Sequence, residues 1–270
     1  MRIFLSVVFI LVIVACDKEA NTNLDTESKS QQKPVNPVVA SDSPLQVVLN
    51  SQAEDIQARY GARHPEQTLT FFDIQPGATV VEYLPGGGWY SKILLPYLGQ
   101  NGRLIGVDYA LEMWRNFSFA DDNFIEQRKN WTQTWQQEAN GWSKNGATVS
   151  AFISASMPES LAGTADYVLF IRALHNLARF ENDGGYLTSA ISEAYTILKP
   201  GGIVGVVQHE ARENMPDDWA NGENGYIKKA FVIEKMQAAG FEFVAESNIN
   251  NNVKDQPTET DMVWRIRWPL

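Results

Sequence analysis

The strongest constraint on this chain is an alternation. Short β-branched apolar runs are separated by stretches of helical periodicity. Thr79–Tyr83 (TVVEY), Arg103–Val107 (RLIGV), Thr148–Ile153, Tyr167–Ile171 (YVLFI) and Ile203–Val207 (IVGVV) are the expected strands. Trp89–Leu98 is an expected helix closed by Gly99, and Leu187–Leu198 an amphipathic one stopped by Lys199-Pro200-Gly201-Gly202. Strands alternating with helices bury both faces of a sheet, so the fold class is α/β with a mostly parallel sheet. Ahead of the first strand, Ala53–Phe72 reads as helix broken at His64-Pro65, because the residue before proline is pushed out of the helical region. Ile227–Ala239 is helical and capped by Gly240. Phe241–Ala245 and Met262–Trp268 are expected as the last two strands, forming an antiparallel hairpin. Tyr109–Gly146 reads as helix and cap. It holds Trp114, Trp131, Trp135 and Trp142, which either pack a core or roof an apolar acceptor.

Composition removes several function classes. The formal charge is −10 and no basic run exists, which excludes electrostatic nucleic-acid binding. The single cysteine, Cys16, excludes an internal disulfide, a thiolate zinc cluster and a Cys-x-x-Cys redox pair. The amino terminus carries Met1-Arg2, an apolar run from Ile3 to Val14, and then Ala15-Cys16-Asp17. This resembles a bacterial lipoprotein signal, in which the cysteine is lipidated and becomes the first residue. The expected organisation is therefore a signal peptide over 1–15, a lipidated Cys16 with a flexible polar tether to residue 44, and one domain over 45–270. The expected address is extracytoplasmic, on a bacterial membrane through a lipid at Cys16. In a Gram-negative host, Asp17 implies the periplasmic face of the inner membrane.

The first strand ends on Gly86-Gly87-Gly88, a helix follows, and the second strand ends on Asp108, 20 residues after Gly88. Strand, glycine turn, helix, strand and acid form a nucleoside-binding arrangement. The glycines let backbone approach the ligand, and the acid can accept both ribose hydroxyls. Dinucleotides and S-adenosylmethionine both use it. The third glycine of the dinucleotide fingerprint is absent here, and Glu82 near the strand end is characteristic of the methyl-donor version. A nicotinamide oxidoreductase is thereby disfavoured.

The body resembles a class I S-adenosylmethionine-dependent methyltransferase, and more narrowly a family of bacterial methyltransferases with Pro-Gly-Gly-Gly-Trp-Tyr in the cofactor loop. The matching pieces are Arg63-His64-Pro65, Glu82–Ser91 (EYLPGGGWYS), Gly106-Val107-Asp108, Asp166–Asn176 (DYVLFIRALHN), Leu198–Gly202 (LKPGG), Val207-Gln208-His209 and Gln237–Phe241 (QAAGF). The resemblance implies a three-layer Rossmann-like fold with a seven-stranded sheet and a reversed last strand. It also implies that Glu82, Gly86 and Gly88 line the methionine part of the cofactor and that Asp108 holds the ribose. Pro85, Gly87, Trp89 and Tyr90 complete the loop. The chain departs from the class at Leu84, where glycine is usual, and at Ser154-Ala155-Ser156, where an acid usually holds the adenine.

His175 and His209 follow neighbouring strands and are expected to converge at the mouth of the site. Either can act as general base toward a small-molecule acceptor, with Asn176 or Arg172 orienting it. The plain alternative is that each histidine caps a strand. A metal set of His175, His209 and Glu210 is a sharper one, although no metalloenzyme spacing such as HExxH occurs. A second function class is also open. The donor is made in the cytoplasm while the leader exports the domain, so the alternative is a membrane-tethered binding or scaffold protein that has kept the fold and lost catalysis. Glu82, the glycine loop and Asp108 together favour the methyltransferase.

Overall fold

The computed structural model describes residues 2–4 and 42–265. The expected signal peptide beyond residue 4, Cys16, and the tether to residue 41 lie outside the described residues. Within them, no helix is long and apolar enough to cross a membrane.

The chain runs β1 (Arg2–Phe4), then α1 (Pro44–Asn50), α2 (Glu54–Gln57), α3 (Tyr60–Arg63) and α4 (Pro65–Phe71). Ser43 opens α1 with a reciprocal cap: its Oγ accepts from Gln46 N at 3.2 Å and its own N–H donates to the Gln46 side chain at 2.9 Å. The expected break falls where proline dictates, with His64 in the left-handed region at φ 41°. Next come β2 (Thr79–Tyr83), α5 (Trp89–Leu98), β3 (Arg103–Asp108), α6 (Leu111–Trp114), α7 (Asp122–Lys129), α8 (Trp131–Trp142), β4 (Thr148–Ile153) and β5 (Ala165–Ile171). The remainder is α9 (Leu174–Arg179), α10 (Glu181–Gly184), α11 (Tyr186–Ile197), β6 (Leu198–Val207), β7 (Glu210–Ala211), β8 (Ile227–Lys228), α12 (Lys229–Ala238) and β9 (Glu242–Ala245).

The sheet runs β4-β3-β2-β5-β6, all parallel, and β1 and β9 extend it past β6. From β2 the chain winds outward through β3 and β4, then returns to β5 on the other side. Strand order therefore reverses between β2 and β5, the place where open α/β sheets leave a crevice at their carboxyl ends. Side chains alternate across the pleat. Val81, Tyr83, Val168, Phe170 and Val204 face one layer with α11 and α12, whereas Val80, Leu104 and Leu169 face the layer of α1, α4, α5 and α8. Glu82 shares the parity of Val80, which turns its carboxylate toward α5. The tryptophans Trp131 and Trp135 of α8 belong to this second core. They pack a core and do not roof a ligand.

Among the described residues the reversed last strand is not formed. Every pairing described in the large sheet is parallel, and the place between β6 and β9 is held by the β1 backbone, in the apolar run whose alternative to a leader is a plain buried strand. Of the expected strand Met262–Trp268, Val263–Arg265 is a single 3-10 turn, and residues 266–270 lie outside the described residues. The cause is Arg265. Its guanidinium donates to Tyr226 Oη at 2.8 Å, Asp255 at 2.9 Å and Met262 O at 3.0 Å, while Val263 N donates to Asn224 O at 2.8 Å. These bonds pin the segment over the loop before β8, so it does not lie antiparallel to β9.

Candidate active site

A cavity of about 830 Å³ opens at the carboxyl ends of β2, β5 and β6. The turn between α3 and α4, the glycine loop and the segment Asn250–Asn252 close its sides. Two non-glycine residues in the left-handed region stand at its base: Leu84, which follows β2 (φ 55°), and Arg172, which follows β5 (φ 56°). Each turns the chain out of its strand while its N–H still pairs with the next strand's end, Leu84 N to Val107 O at 2.7 Å and Arg172 N to Val207 O at 2.6 Å. The conformation costs a side-chain-bearing residue about 1–2 kcal/mol, and such strain gathers at functional sites. It also explains why glycine would suit position 84.

Glu82 is 3% exposed and accepts a 2.5 Å hydrogen bond from Ser91 Oγ on α5. Burial pushes its carboxyl up to about 7, and the Ser91 bond and the Arg63 charge resist that shift. Arg63 lies over the Trp89 ring, 4.5 Å from its centroid, and Tyr90 Oη donates to Arg63 O at 3.1 Å. His64 Nδ1 and Trp89 Nε1 are buried without a hydrogen-bond partner, and both residues line the cavity. Buried polar atoms of this kind call for a partner, and none is supplied among the described residues.

His175 and His209 do converge, with ring centroids 6.1 Å apart. His175 Nδ1 meets the Gln208 side chain, whose amide nitrogen is 3.1 Å away and also donates to Gly225 O. Burial, with the nearby Arg172 charge, pulls His175 down to about 4. Burial, then His175 and Arg172, pulls His209 down to about 3. Both rings are thus neutral near neutral pH. The burial that disfavours the imidazolium also makes them weak bases, so this environment does not favour the expected general-base role. Asn176 bonds the Tyr109 side chain. Glu210 turns to Lys229 at 4.0 Å, and among the described residues no group of three or more His, Cys, Asp or Glu could hold a metal ion.

The other end of the crevice is filled. Asp108 is 4% exposed; its carboxylate pairs with Arg128 and accepts from Trp114 Nε1 at 3.3 Å. Burial raises its pKa, and Arg128 opposes that rise. The Arg128 guanidinium lies 4.6 Å from the Trp114 ring centroid and 5.7 Å from that of Trp131. Gly88 is covered by α8: a Cβ there would stand 2.5 Å from Trp142 Cζ3.

The expected residues therefore divide. Glu82, Pro85, Gly86, Gly87, Trp89, Tyr90, Arg172, His175, Asn176 and His209 all line the cavity, whereas Gly88 and Asp108 do not. Asp166, in the resembling β5 segment, serves the opposite edge of the sheet, accepting from Thr79 N at 2.8 Å and pairing with Lys199 at 2.6 Å. Sequence reasoning missed Arg59, Gln208 and Arg128. Arg59 caps the start of α3 and Arg63 ends it, so both come from the short helical segment that precedes α4, and no single motif announces them.

No protein-family model and no curated protein matches the chain. Among solved structures, it is similar to a SAM-dependent methyltransferase from Aquifex aeolicus (18% identity over 74% of this chain and 89% of that one, TM-score 0.44). It is also similar to an arsenic(III) S-adenosylmethionine methyltransferase from Chlamydomonas reinhardtii (15% identity over 74% and 62%, TM-score 0.40). These are likenesses of fold.

Proposed function

We propose that this protein transfers a methyl group from S-adenosylmethionine to a small-molecule acceptor. The supporting observation is the cavity at the reversal of strand order, with buried Glu82 and a bare glycine loop at its base. A Cβ on Gly86 or Gly87 would meet nothing within 4 Å, so backbone is open to a ligand there. These residues suit the amino-acid end of the donor: Glu82 for its ammonium group, the loop for close approach. Asp108 suits the ribose once Arg128 has left it. S-adenosylmethionine, when bound, supplies an electrophilic methyl carbon on a sulfonium sulfur. The protein's part is alignment: Arg172 and Asn176 orient the acceptor, and neutral His209 or His175 accepts a hydrogen bond from its hydroxyl or amine. In keeping with the leader, a lipid anchor at Cys16 on the outer face of a bacterial membrane is proposed as well. It competes with the fold: cleavage before Cys16 would remove Arg2–Phe4, which here pair with β6 and β9.

A second reading is a non-catalytic binding protein on the same fold. The Arg128–Asp108 pair favours it, because that pair occupies the acid a ribose needs.

Calorimetric titration of the full chain with S-adenosylmethionine and S-adenosylhomocysteine separates the two. The first reading expects micromolar binding, about −8 kcal/mol, weakened in Glu82→Gln. Folded protein that gives no heat with either compound sinks it and leaves the binding fold.

A further inference from the structure

The chain carries a formal charge of −10, yet its main cavity collects arginines. Among the described residues, Arg103, Arg115, Arg128, Arg179, Arg212 and Arg265 each donate a hydrogen bond through the guanidinium. Of the arginines whose side chains are described, the remaining three, Arg59, Arg63 and Arg172, donate none, and all three line this one cavity. They feel one another: burial first, then Arg172 and Arg59, lowers Arg63 to about 10, and burial together with Arg59 lowers Arg172.

Among the described residues no carboxylate makes an ion pair with them, although the buried Glu82 is close enough to act on Arg63. Glu82 is buried on Ser91, and Asp255 is taken by Arg265 and by Tyr226 Oη at 2.6 Å. Asp55 stands at the rim without an ion pair among the described residues. The Arg63 guanidinium carbon lies 4.5 Å from the Trp89 ring centroid, and the Arg172 backbone is fixed by its bond to Val207 O. Planar guanidinium forks gathered in one cavity match the paired oxygens of a carboxylate or phosphate.

We infer that Arg59, Arg63 and Arg172 form an oxyanion site, and that the acceptor taken by this cavity carries a carboxylate or phosphate group. The word acceptor rests on the methyl-transfer reading; the oxyanion site does not. The donor has a carboxylate of its own, but one carboxylate takes one bidentate fork, and three guanidinium groups are present.

The test is titration of the full chain with inorganic phosphate against sodium chloride at equal ionic strength, with and without saturating S-adenosylhomocysteine. Arg59→Gln and Arg172→Gln are the test variants, and Arg115→Gln, on the outer surface, is the control. Arg59 is exposed, so its substitution leaves folding intact, and circular dichroism checks Arg172→Gln. Expected is saturable phosphate binding that weakens tenfold or more in both test variants, is unchanged in the control, and persists with S-adenosylhomocysteine bound. Binding no different from chloride, or indifferent to both substitutions, overturns the site. Expulsion of phosphate by S-adenosylhomocysteine overturns its assignment to the acceptor and gives the arginines to the donor. Phosphate binding as expected, with no heat from S-adenosylhomocysteine, keeps the oxyanion site and removes the methyl-transfer reading.

Discussion

The two ends of the crevice are built to opposite plans. Beyond β2, β5 and β6 the chain leaves space, unpaired arginines, orphaned polar atoms and two neutral histidines. Beyond β3 it spends its own side chains: Arg128 on Asp108, Trp114 on Arg128, Trp142 on Gly88. The glycine loop lies between them, with Gly87 bare and Gly88 covered. The difference teaches that a pattern of glycine loop and spaced acid can stand in the sequence while only half of it is accessible in the fold. The Asp108 position is satisfied as a buried ion pair, and such a pair has to be exchanged before a ribose can use it.

Breaking the filled end should have the largest effect. Arg128→Met strips the partner from a buried carboxylate, for which a cost of about 3–5 kcal/mol is typical. Urea unfolding should show that loss, and adding Asp108→Asn should recover much of it, since the uncompensated charge is then gone. A single-variant loss below 1 kcal/mol would mean that the pair is dispensable and the contrast between the two ends is shallow.

Next in size is the open end's buried acid. Glu82 titrates near 7 in the fold against an ordinary value of 4.5. Between those values the unfolded chain releases its proton first, so stability falls as pH rises through the window and the loss is complete above it. It amounts to about 3 kcal/mol. Glu82→Gln should flatten that descent, measured by urea unfolding from pH 4.5 to 8. An unchanged slope would place the titration elsewhere.

The smallest contrast lies within three residues. Gly88→Ala adds a methyl against Trp142 at φ 72° and should cost about 1–3 kcal/mol. Gly87→Ala enters open space and should stay within about 0.5 kcal/mol, while lowering affinity for whatever the loop holds. Equal effects on thermal unfolding would erase the distinction between covered and bare loop.

Much of this was legible in the sequence, for physical reasons. Strands β2 to β6 declare themselves because each apolar, mostly β-branched run starts shortly after a glycine, and helix α5 because it is closed by Gly99. The convergence of His175 and His209 follows from adjacent parallel strands. What failed depends on contacts distant in sequence. Met262–Trp268 alternates like a strand, but Arg265's bonds to Tyr226 and Asp255 hold Val263–Arg265 in a turn. Arg2–Phe4 pairs as sheet in an apolar run that reads equally well as a leader. The Arg128 closure of Asp108 spans 20 residues of irregular helix, and no periodicity announces it.

The central claim is that the open end binds the donor's amino-acid part and that Asp108 must change partners for the rest. A crystal structure of the full chain with S-adenosylhomocysteine tests it most directly. The account predicts ligand along Gly86–Gly87 beside Glu82, with Arg128 withdrawn and Asp108 on the ribose hydroxyls. Ligand bound elsewhere, or bound there with Arg128 still on Asp108, would contradict it.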